Sequence, residues 1–506
     1  MPRLLLGIDV GTTATKAVLL DPVAGIVAEA SAPTRLDSPR PGWAEEDPEE
    51  WWGNVRALVP RLLAEAGARS ADVAGVGVSG AVPALVCLDV SGRPLRASIQ
   101  QNDARAAAEI DELRALLAGS DVLRRTGSAI TQQSIGPSVL WLRRHEPRVL
   151  ARTAALCGSY DFVTRRLVGG GDSTEANWAL ESGLYDYQAE RWADDILRAC
   201  EVNPRWLGRI RRPSEVVGVV APGPAAEVCL TAGTPVVAGS ADHVASAFAA
   251  GLVEDGDLLL KLGGSGDVLF TASRPVVDER LYLDFHLMPG KFIPNGCTAA
   301  GGSFVRWFQR ELAGGAPLAA LDREAQAAGV GAGGLIALPY VLGEKTPIND
   351  PLARGAFVGL HLGHTRGHLF RAVLEAIAFG LAHHVEVLRE LGMEPRRARV
   401  TNGGSRSRLW RQIVADVLGM PLESIVRHPG SSLGAAFAAG MGVDHFRDWS
   451  EIERFVAVEE RIELDPAAHG RYVELYGLYR ALYPTLAGTM HRLARFDPEI
   501  PLEGQV

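Results

Sequence analysis

The sequence predicts an α/β fold made of two similar halves, and three observations support this prediction. Residues 4–20 form an apolar strand, a glycine-containing turn and a second apolar strand. Residues 257–270 repeat this pattern about half a chain later. Predicted strands and helices alternate along the chain, as they do in α/β proteins. Two such hairpins suggest an internal duplication with one phosphate-binding loop in each half.

The turn of the first hairpin combines groups that attract an anion with one group that repels it. Gly11 lets backbone N–H groups turn toward an anion, and Thr12 and Thr13 add hydroxyl donors. Lys16 adds a positive charge, or it pairs with a neighbouring acid on the sheet. Asp9 would repel a phosphate unless a cation lies between them, so Mg²⁺ with a nucleotide phosphate fits the turn. The alternative is an ordinary hairpin with a solvated aspartate, because short glycine-rich motifs often occur by chance.

After this hairpin, the first half is predicted to extend the sheet and to cover it with helices. The predicted elements are a third strand at 25–30, a helix from Pro48 that stops at Gly67, strands at 73–79 and 84–89, and a helical region at 137–203. The helical region is expected to be an all-helical addition to the first domain.

The polar run from Gln100 to Arg105 allows two interpretations. It could be a loop in which Asn102 or Asp103 caps the next helix. It could instead be a polyol-binding face, because sugar hydroxyls need many fixed donors and acceptors. The residues alone favour neither interpretation strongly.

The second half begins near a short buried strand at 235–238. This strand leads into Gly239-Ser240-Ala241-Asp242-His243 and a helix of small residues. Further along, a strand at 399–401 leads into Gly403-Gly404-Ser405 and another helix. A Gly-Gly turn before a helix can let a ligand lie flat against the backbone. Taken alone, such a turn is more typical of a purely structural feature.

Composition excludes several classes of partner. The chain has 506 residues, 47% of them hydrophobic, which is enough for about two to four domains. The net charge of −9, with mixed signs, argues against nonspecific binding to nucleic acid or to anionic membranes.

The distribution of cysteines and apolar residues predicts a cytoplasmic protein. The five cysteines are scattered without a CxxC pair, so neither a disulfide framework nor a zinc site is expected. We expect no signal peptide at the start of the chain and no membrane span anywhere in it.

These motifs, in this order and spacing, resemble the FGGY family of carbohydrate kinases over nearly the whole chain. The matching segments are Asp9-Val10-Gly11-Thr12-Thr13 with Lys16, Gly42-Trp43-Ala44-Glu45, Asn102-Asp103 with Arg105, Gly239 with Asp242, Gly263-Gly264-Ser265-Gly266, the signature from Gly355 to Glu375, and Gly403-Gly404-Ser405. The nearest resemblance is to the xylulokinase branch of the family.

The resemblance implies two ribonuclease-H-like domains of the actin and sugar-kinase type, with a cleft between them. Residues 1–238 would form the sugar-binding domain, and residues 239–506 would form the ATP-binding domain with its helical tail. The implied reaction is ATP-dependent phosphorylation of a hydroxyl on a small sugar. The acceptor would be a ketopentose such as xylulose or ribulose, or a related polyol. Members of the family are often homodimers, but no stretch of this sequence identifies an interface.

The resemblance also implies a role for each motif. Asp242 would be the catalytic base, although it could also cap the helix that it opens, and both roles can coexist. Asp9 would hold Mg²⁺. The groups expected to bind ATP are Gly11, Thr12, Thr13 and Lys16 on the first hairpin, Gly263, Gly264 and Ser265 on the second, and Gly403, Gly404 and Ser405 beside the adenosine. The groups expected near the sugar are Ala81, Val82, Pro83, Gln101, Asn102, Asp103 and Asp242.

The sequence departs from the family pattern at two places. Residues 81–83 are Ala-Val-Pro where xylulokinases typically carry Gln-Met-His, and Gln101 replaces the usual tryptophan. A site that loses polar partners should bind D-xylulose poorly, because buried hydroxyls would be left unpaired. Gln101 could restore one partner for a differently shaped substrate. Gly264 replaces the usual threonine, which predicts reduced but not absent ATP turnover.

Two other functions would fit a related fold. A catalytically weak sugar-binding sensor would bind sugar without phosphorylating it, but the presence of Asp9, Lys16 and Asp242 argues against that function. An actin-like ATPase would share the hairpins but lack a small-molecule acceptor. The signature at residues 355–375 and the Trp-Ala-Glu segment at 43–45 argue against the ATPase.

Overall fold

The fold is organised by two mixed β-sheets, seen in a computed structural model that describes residues 3–425, 428, 430–494 and 496. The strands are β1 (Leu4–Val10), β2 (Ala14–Asp21), β3 (Gly25–Pro33), β4 (Glu45–Glu46), β5 (Val73–Gly80), β6 (Val86–Leu88), β7 (Ser98–Ile99), β8 (Ala155–Cys157), β9 (Ser173–Glu175), β10 (Tyr185–Asp186), β11 (Arg191–Trp192), β12 (Arg209–Arg211), β13 (Val216–Val219), β14 (Pro235–Val237), β15 (Ser240–Ala241), β16 (Asp257–Leu262), β17 (Gly266–Phe270), β18 (Tyr282–Phe285), β19 (Phe292–Thr298), β20 (Ile336–Leu338), β21 (Ala356–Val358), β22 (Arg397–Thr401), β23 (Leu422–Ser424) and β24 (Glu460–Ile462).

Helices pack against these sheets and connect their strands. They are α1 (Pro48–Glu65), α2 (Ala107–Leu116), α3 (Val122–Thr126), α4 (Ile135–His145), α5 (Pro147–Arg152), α6 (Ser159–Val168), α7 (Ala176–Glu181), α8 (Asp194–Ala199), α9 (Pro222–Val228), α10 (Asp242–Ala249), α11 (Gly302–Glu311), α12 (Leu318–Ala328), α13 (Arg366–Glu390), α14 (Arg408–Leu418), α15 (Ser431–Gly442) and α16 (Pro466–Ala494). None of the helices in the described part of the chain combines the length and apolarity of a membrane span.

The two sheets share one strand arrangement, so the predicted duplication is visible in the fold. The first sheet has the order β13-β14-β5-β1-β2-β3, with β15 also paired to β5. The second has the order β18-β19-β17-β16-β22-β23-β24. In each sheet an antiparallel hairpin (β1–β2 or β16–β17) lies beside a strand parallel to its first arm (β5 or β22). The predicted α/β class and both predicted hairpins are confirmed.

Helix α15 comes late in the chain but packs against the first sheet. A Cβ atom at Gly7 would lie 1.9 Å from the carbonyl oxygen of Ser432, and one at Gly77 would lie 2.1 Å from that of Ala435. Glycine at these two positions therefore allows the helix backbone to approach β1 and β5 closely. This approach connects the second half of the chain to the strands that carry the first hairpin.

The predicted boundary at residue 238 stays a prediction. Helix α10, which begins four residues later, contacts β5, β15 and α15. Residues 497–506, which the prediction included in the second domain, lie outside the described residues.

The region from 137 to 203 is not entirely helical, contrary to the prediction. It contains the helices α4 to α8, but four short strands interrupt them. β8 pairs with β6, β9 pairs with β12, and β10 pairs with β11. These pairings involve only two or three residues per strand, too few for the period-2 pattern that predicts strands from sequence.

Candidate active site

A cavity of about 240 Å³ lies where the end of β5 meets the second hairpin. Residues from both halves of the chain line it. They are Val82, Gln101, Ser128, Ala129, Thr131, Gln133, Ser134, Glu181, Asp242, His243, Lys261, Ser265, Asp267, Leu269, Tyr282, Asp284, Asn295, Gly296, Cys297 and Lys345. Most of these side chains are polar, so the cavity suits a ligand with many hydrogen-bonding groups. We call it the polar cavity.

Strand pairing brings Asp9 and Asp242 to the same end of the first sheet. Asp9 lies near the end of β1, where it pairs in register with Ser79 of β5. Ser240 of β15 pairs with the same Ser79, and Asp242 follows two residues later as the first residue of α10. The carboxyl ends of parallel strands in an open sheet are where α/β proteins commonly bind ligands.

Burial and charge change the acidity of Asp9. Its exposed fraction is only 8%, and the hydroxyl of Ser79 donates to its Oδ1 at 3.2 Å. Burial, together with the negative charge of Asp242, raises the pKa of Asp9 to about 6. A hydrogen bond from Ser431 and the charge of Lys16 act in the opposite direction. The two carboxylates are therefore close enough to repel each other, which a cation between them would relieve.

Asp242 is half-buried and ionised. Its side chain is 36% exposed, and its Oδ1 accepts a hydrogen bond from the backbone N–H of His243 at 2.6 Å. Burial acts to raise the pKa of Asp242, but the hydrogen bond and charge of His243 hold it below its ordinary value. The alternative helix-capping role is not realised, because the N-cap of α10 is Ala241 and Asp242 is the next residue.

A second cavity, of about 770 Å³, lies on the other side of the β16–β17 turn. Its lining residues are Lys16, Leu262, Gly263, Gly264, Gly302, Val305, Arg306, Leu318, Ala319, Asp322, Phe370, Leu374, Asn402, Gly403, Gly404, Arg406, Ser407 and Trp410. We call it the glycine-lined cavity. It brings together parts of three motifs that the sequence predicted to bind ATP: Lys16, the turn at Gly263-Gly264, and the turn at Gly403-Gly404.

The β16–β17 turn presents unused backbone donors between the two cavities. The carbonyl oxygens of Gly263 and Gly264 accept hydrogen bonds from the N–H groups of residues 301–303 at 2.7, 2.8 and 3.0 Å. Within the described part of the chain, the N–H groups of Gly263, Gly264 and Ser265 donate to no protein acceptor. Partly exposed N–H groups without a partner form a concave site for an anion.

The β1–β2 turn also presents backbone N–H groups that have no protein acceptor among the described residues. The N–H of Gly11 closes the turn by donating to the carbonyl oxygen of Ala14 at 3.2 Å. No acceptor among the residues with described coordinates takes a hydrogen bond from the N–H of Thr12 or Thr13. Lys16, on the adjoining strand, forms no ion pair with a described residue, so its charge is also available to a ligand.

Family models of the FGGY carbohydrate kinases match most of the chain. The N-terminal domain model matches residues 4–249, and the C-terminal domain model matches residues 258–443. The chain belongs to the FGGY family of carbohydrate kinases. This kinase is therefore an enzyme that transfers a phosphoryl group from ATP to a carbohydrate, and the family uses a divalent metal with the nucleotide.

The kinase is similar to several proteins named xylulose kinase. It is 30% identical over 489 residues to that of Escherichia coli K12, which covers 96% of this chain and 99% of the relative. It is 30% identical over 492 residues to that of Klebsiella pneumoniae, covering 96% and 99%. The crystal structure of the xylulose kinase from Rhodospirillum rubrum aligns with a TM-score of 0.92 and 43% identity, covering 97% of this chain and all of that one. The predicted two-domain sugar-kinase fold is thereby confirmed.

The residues predicted near the sugar do not all line the polar cavity of the kinase. Val82 and Gln101 line it, and Gln101 accepts a hydrogen bond from Gln133 at 3.3 Å. Ala81 and Pro83 are buried outside the lining, and Asn102 is exposed to solvent. Of residues 81–83 and 101–103, only Val82 and Gln101 therefore meet the polar cavity.

Asp103 supports the sugar-side loop from inside the protein. It is 5% exposed and accepts hydrogen bonds from the backbone N–H of Ala44 at 2.6 Å and that of Arg105 at 2.9 Å. The guanidinium of Arg105 also pairs with it at 2.7 Å. The suggested capping role is wrong for both Asn102 and Asp103, because α2 begins at Ala107 and its N-cap is Ala106.

Ser405 also differs in its surroundings from its glycine neighbours. It is buried within a 3₁₀ turn at Gly403–Arg406, and its hydroxyl donates to the carbonyl oxygen of Asn402 at 2.6 Å. It does not line the glycine-lined cavity, whereas Gly403 and Gly404 do.

Several cavity residues were missed by sequence reasoning. They include His243, Glu181, Lys261, Asp267, Tyr282, Asp284, Asn295 and Lys345 in the polar cavity, and Arg306, Asp322 and Trp410 in the glycine-lined cavity. The sequence could have indicated His243 as a site residue, because it directly follows Asp242. No sequence pattern indicated Glu181 or Asp284, because each lies on a short element with no motif and reaches the cavity only through the tertiary fold.

Proposed function

We propose that the kinase phosphorylates a hydroxyl of a small sugar, a ketopentose such as xylulose or ribulose or a related polyol, with Asp242 as the general base. In this proposal the sugar occupies the polar cavity and the nucleotide occupies the glycine-lined cavity. The observation that carries the proposal is the β16–β17 turn, because its unpaired N–H groups lie between the two cavities. Gly263 and Gly264 line one cavity, and Ser265 lines the other together with Asp242.

The state of Asp242 suits the role of a base. A sugar hydroxyl is a poor nucleophile, and a carboxylate directed at it can accept its proton as the bond to phosphorus forms. Asp242 is half-exposed toward the polar cavity and has a pKa below its ordinary value, so it is ionised at neutral pH. Most of the remaining catalysis would come from positioning and from neutralising phosphate charge.

Backbone and side-chain donors would hold the phosphates. The free N–H groups of Thr12, Thr13, Gly263, Gly264 and Ser265 would bind phosphate oxygens, with the ammonium of Lys16 beside them. Donors of this kind stabilise charge without rearranging during the reaction. The Gly403-Gly404 turn would lie against the adenosine. A Cβ atom at Gly403 would meet no atom within 4 Å, so glycine leaves the backbone open there, whereas a Cβ atom at Gly404 would lie 2.5 Å from the Trp410 ring.

The donor set near the first hairpin fits a magnesium ion. The carboxylate of Asp9 supplies oxygen ligands of the kind that Mg²⁺ prefers, and the ion would relieve the repulsion between Asp9 and the neighbouring charge of Asp242. Asp9 would hold the ion, and the ion would neutralise phosphate charge when bound. Ser79 would orient the Asp9 carboxylate through its hydrogen bond at 3.2 Å.

The acceptor itself is not set by the family alone. Relatives named xylulose kinase support xylulose as a candidate. The apolar Val82 and the amide of Gln101 line the polar cavity where the xylulokinase pattern has other residues. We therefore expect weaker use of D-xylulose than of a sugar whose hydroxyls pair with Gln101 and its neighbour Gln133.

A substrate panel tests the proposal. ATP consumption should be measured with ketopentoses, aldoses, polyols and aldonates, each supplied at the same concentration with excess Mg²⁺. We expect one ketopentose or polyol to stimulate ATP consumption far above the rate without sugar. Stimulation only by a substrate of another class, or turnover that is independent of sugar, would contradict the proposed acceptor.

Gly264 offers a gain-of-function prediction. A Cβ atom at this position would lie 3.4 Å from Nη2 of Arg306 and would meet no other atom within 4 Å. Gly264→Thr should therefore fit and add a hydroxyl donor beside the phosphates, lowering KM for ATP or raising kcat by about 2–10-fold. Gly264→Ala is the matched control, because it adds the same Cβ without the hydroxyl. If the two variants have equal kinetics, the hydroxyl contributes nothing and the prediction is wrong.

A further inference from the structure

His243 joins Asp242 to a buried carboxylate from the other half of the chain. Its Nε2 lies 2.8 Å from Oδ2 of Asp284, and its Nδ1 lies 3.5 Å from Oδ1 of Asp242. Asp242 and His243 begin α10, beside the first sheet, whereas Asp284 belongs to β18, at the edge of the second sheet. The imidazole therefore connects the two halves directly at the polar cavity.

The far end of this connection is rigidly held. The side chain of Asp284 is only 2% exposed, and the Nδ2 of Asn295 donates to its Oδ2 at 2.6 Å. β18 and β19 hold these two residues in place, since Tyr282 pairs in register with Asn295 and Asp284 pairs with Ile293. Asp284 is thus a fixed anchor for the imidazole ring.

The charges around His243 favour a doubly protonated ring. Burial acts to lower its pKa, but the carboxylates of Asp284 and Asp242 raise the pKa of His243 well above its ordinary value. Glu181, whose Oε1 lies 3.9 Å from Nε2, adds to this effect. With both nitrogens protonated, the ring can donate to Asp284 on one side and toward Asp242 on the other.

The contact to Asp284 lies within a cluster of three residues of types that can bind a metal. Glu181, His243 and Asp284 could in principle surround an ion. In this structure Nε2 of His243 and Oδ2 of Asp284 lie 2.8 Å apart, which is the distance of a direct hydrogen bond.

We propose that His243 is a positioning residue, which holds one oxygen of Asp242 so that the other oxygen faces the sugar hydroxyl. The inference rests on the proposed role of Asp242 as the base. Oδ1 of Asp242 already accepts from the backbone N–H of His243 at 2.6 Å, and the ring approaches the same oxygen. In this arrangement the backbone N–H restrains Oδ1, the charged ring lies 3.5 Å from the same oxygen, and Oδ2 is left for the proton.

Two substitutions of His243 separate this role from a purely structural one. His243→Leu removes both donors of the ring. In His243→Asn, the amide nitrogen of the new side chain lies near the position of Nδ1 and can still donate toward Asp242. Because misplacing a reacting group can cost about 10²-fold in rate, we expect the leucine variant to lose about 10–100-fold in kcat. KM for ATP and for sugar should change less than about 3-fold, and the asparagine variant should recover much of the lost kcat.

Several results would overturn the inference. One is a leucine variant that keeps its kcat. Another is an equal loss of kcat in the leucine and asparagine variants, which would indicate that the ring only fills space. If the leucine variant does not fold, Asp284→Asn provides the second test, because it loosens the anchor while keeping the size of the side chain. Asp284→Asn should then lower kcat with little change in KM, and an unchanged kcat would contradict the proposal.

Two controls keep this inference distinct from the proposed function. His145 is exposed and lies outside both cavities, so His145→Leu should leave kcat unchanged. Asp242→Asn is measured in the same assay. If Asp242→Asn keeps its turnover, the base assignment itself is wrong. If Asp242→Asn is inactive while His243→Leu keeps its kcat, only the positioning role of His243 is wrong.

Discussion

Asp242→Asn is expected to lower kcat by about 10²–10⁴-fold, the range attributed to a general base. Asparagine has the same size and can still accept the hydrogen bond that the backbone N–H of His243 donates at 2.6 Å. It cannot accept the proton of the sugar hydroxyl. The helix should be unaffected, because the residue before Asp242 is the N-cap of α10.

The measurement is steady-state phosphorylation of the acceptor found in the substrate panel. Sugar binding to the variant should be measured separately by calorimetry, so that a loss of kcat is not confused with a loss of binding. Asp111→Asn, on the exposed surface of α2, provides the matched control and should retain full activity. If Asp242→Asn retains more than about a tenth of the kcat, Asp242 is not the base.

The hairpins could be predicted from sequence because all their determinants are local. The turn at Gly11–Thr13 lies between two apolar runs only a few residues apart, and the turn at Gly263–Ser265 has the same surroundings. Local pattern and tertiary role agree there, since a tight turn between two buried strands is also where backbone donors remain free.

The rest of the polar cavity could not be predicted, because it depends on contacts between distant segments. Asp103 shows the difficulty most clearly. Its polar neighbours suggested a helix cap or a ligand contact. Instead, its carboxylate accepts a hydrogen bond from the N–H of Ala44, which lies 59 positions earlier in the chain. Conversely, Asp284 and Glu181 carry no motif, and they reach Asp242 only because β18 and α7 meet at the cavity.

Asp9→Asn is expected to weaken the use of Mg²⁺ and to lower kcat/KM for the metal–nucleotide complex by about 10–100-fold, as is typical when a group that supports a metal is removed. The substitution removes one of two carboxylates whose mutual repulsion helps to raise the pKa of Asp9 to about 6. The asparagine side chain keeps an oxygen that can accept the hydrogen bond from Ser79, so the sheet should fold normally. The measurement is the Mg²⁺ concentration that gives half-maximal activity, which should rise in the variant.

The pH dependence of this Mg²⁺ requirement gives the sharper test. Because the pKa of Asp9 lies near 6, the group is ionised above that pH and protonated below it, so protons compete with the metal in acid. In the unmodified kinase the Mg²⁺ requirement should rise as the pH falls through 6, whereas in Asp9→Asn it should be high at every pH. Asp21→Asn, at the other end of the hairpin, is the control and should keep the normal profile. An Asp9→Asn variant with an unchanged Mg²⁺ requirement would show that the carboxylate does not hold the ion, and the anion-repelling residue in the first turn would then need another explanation.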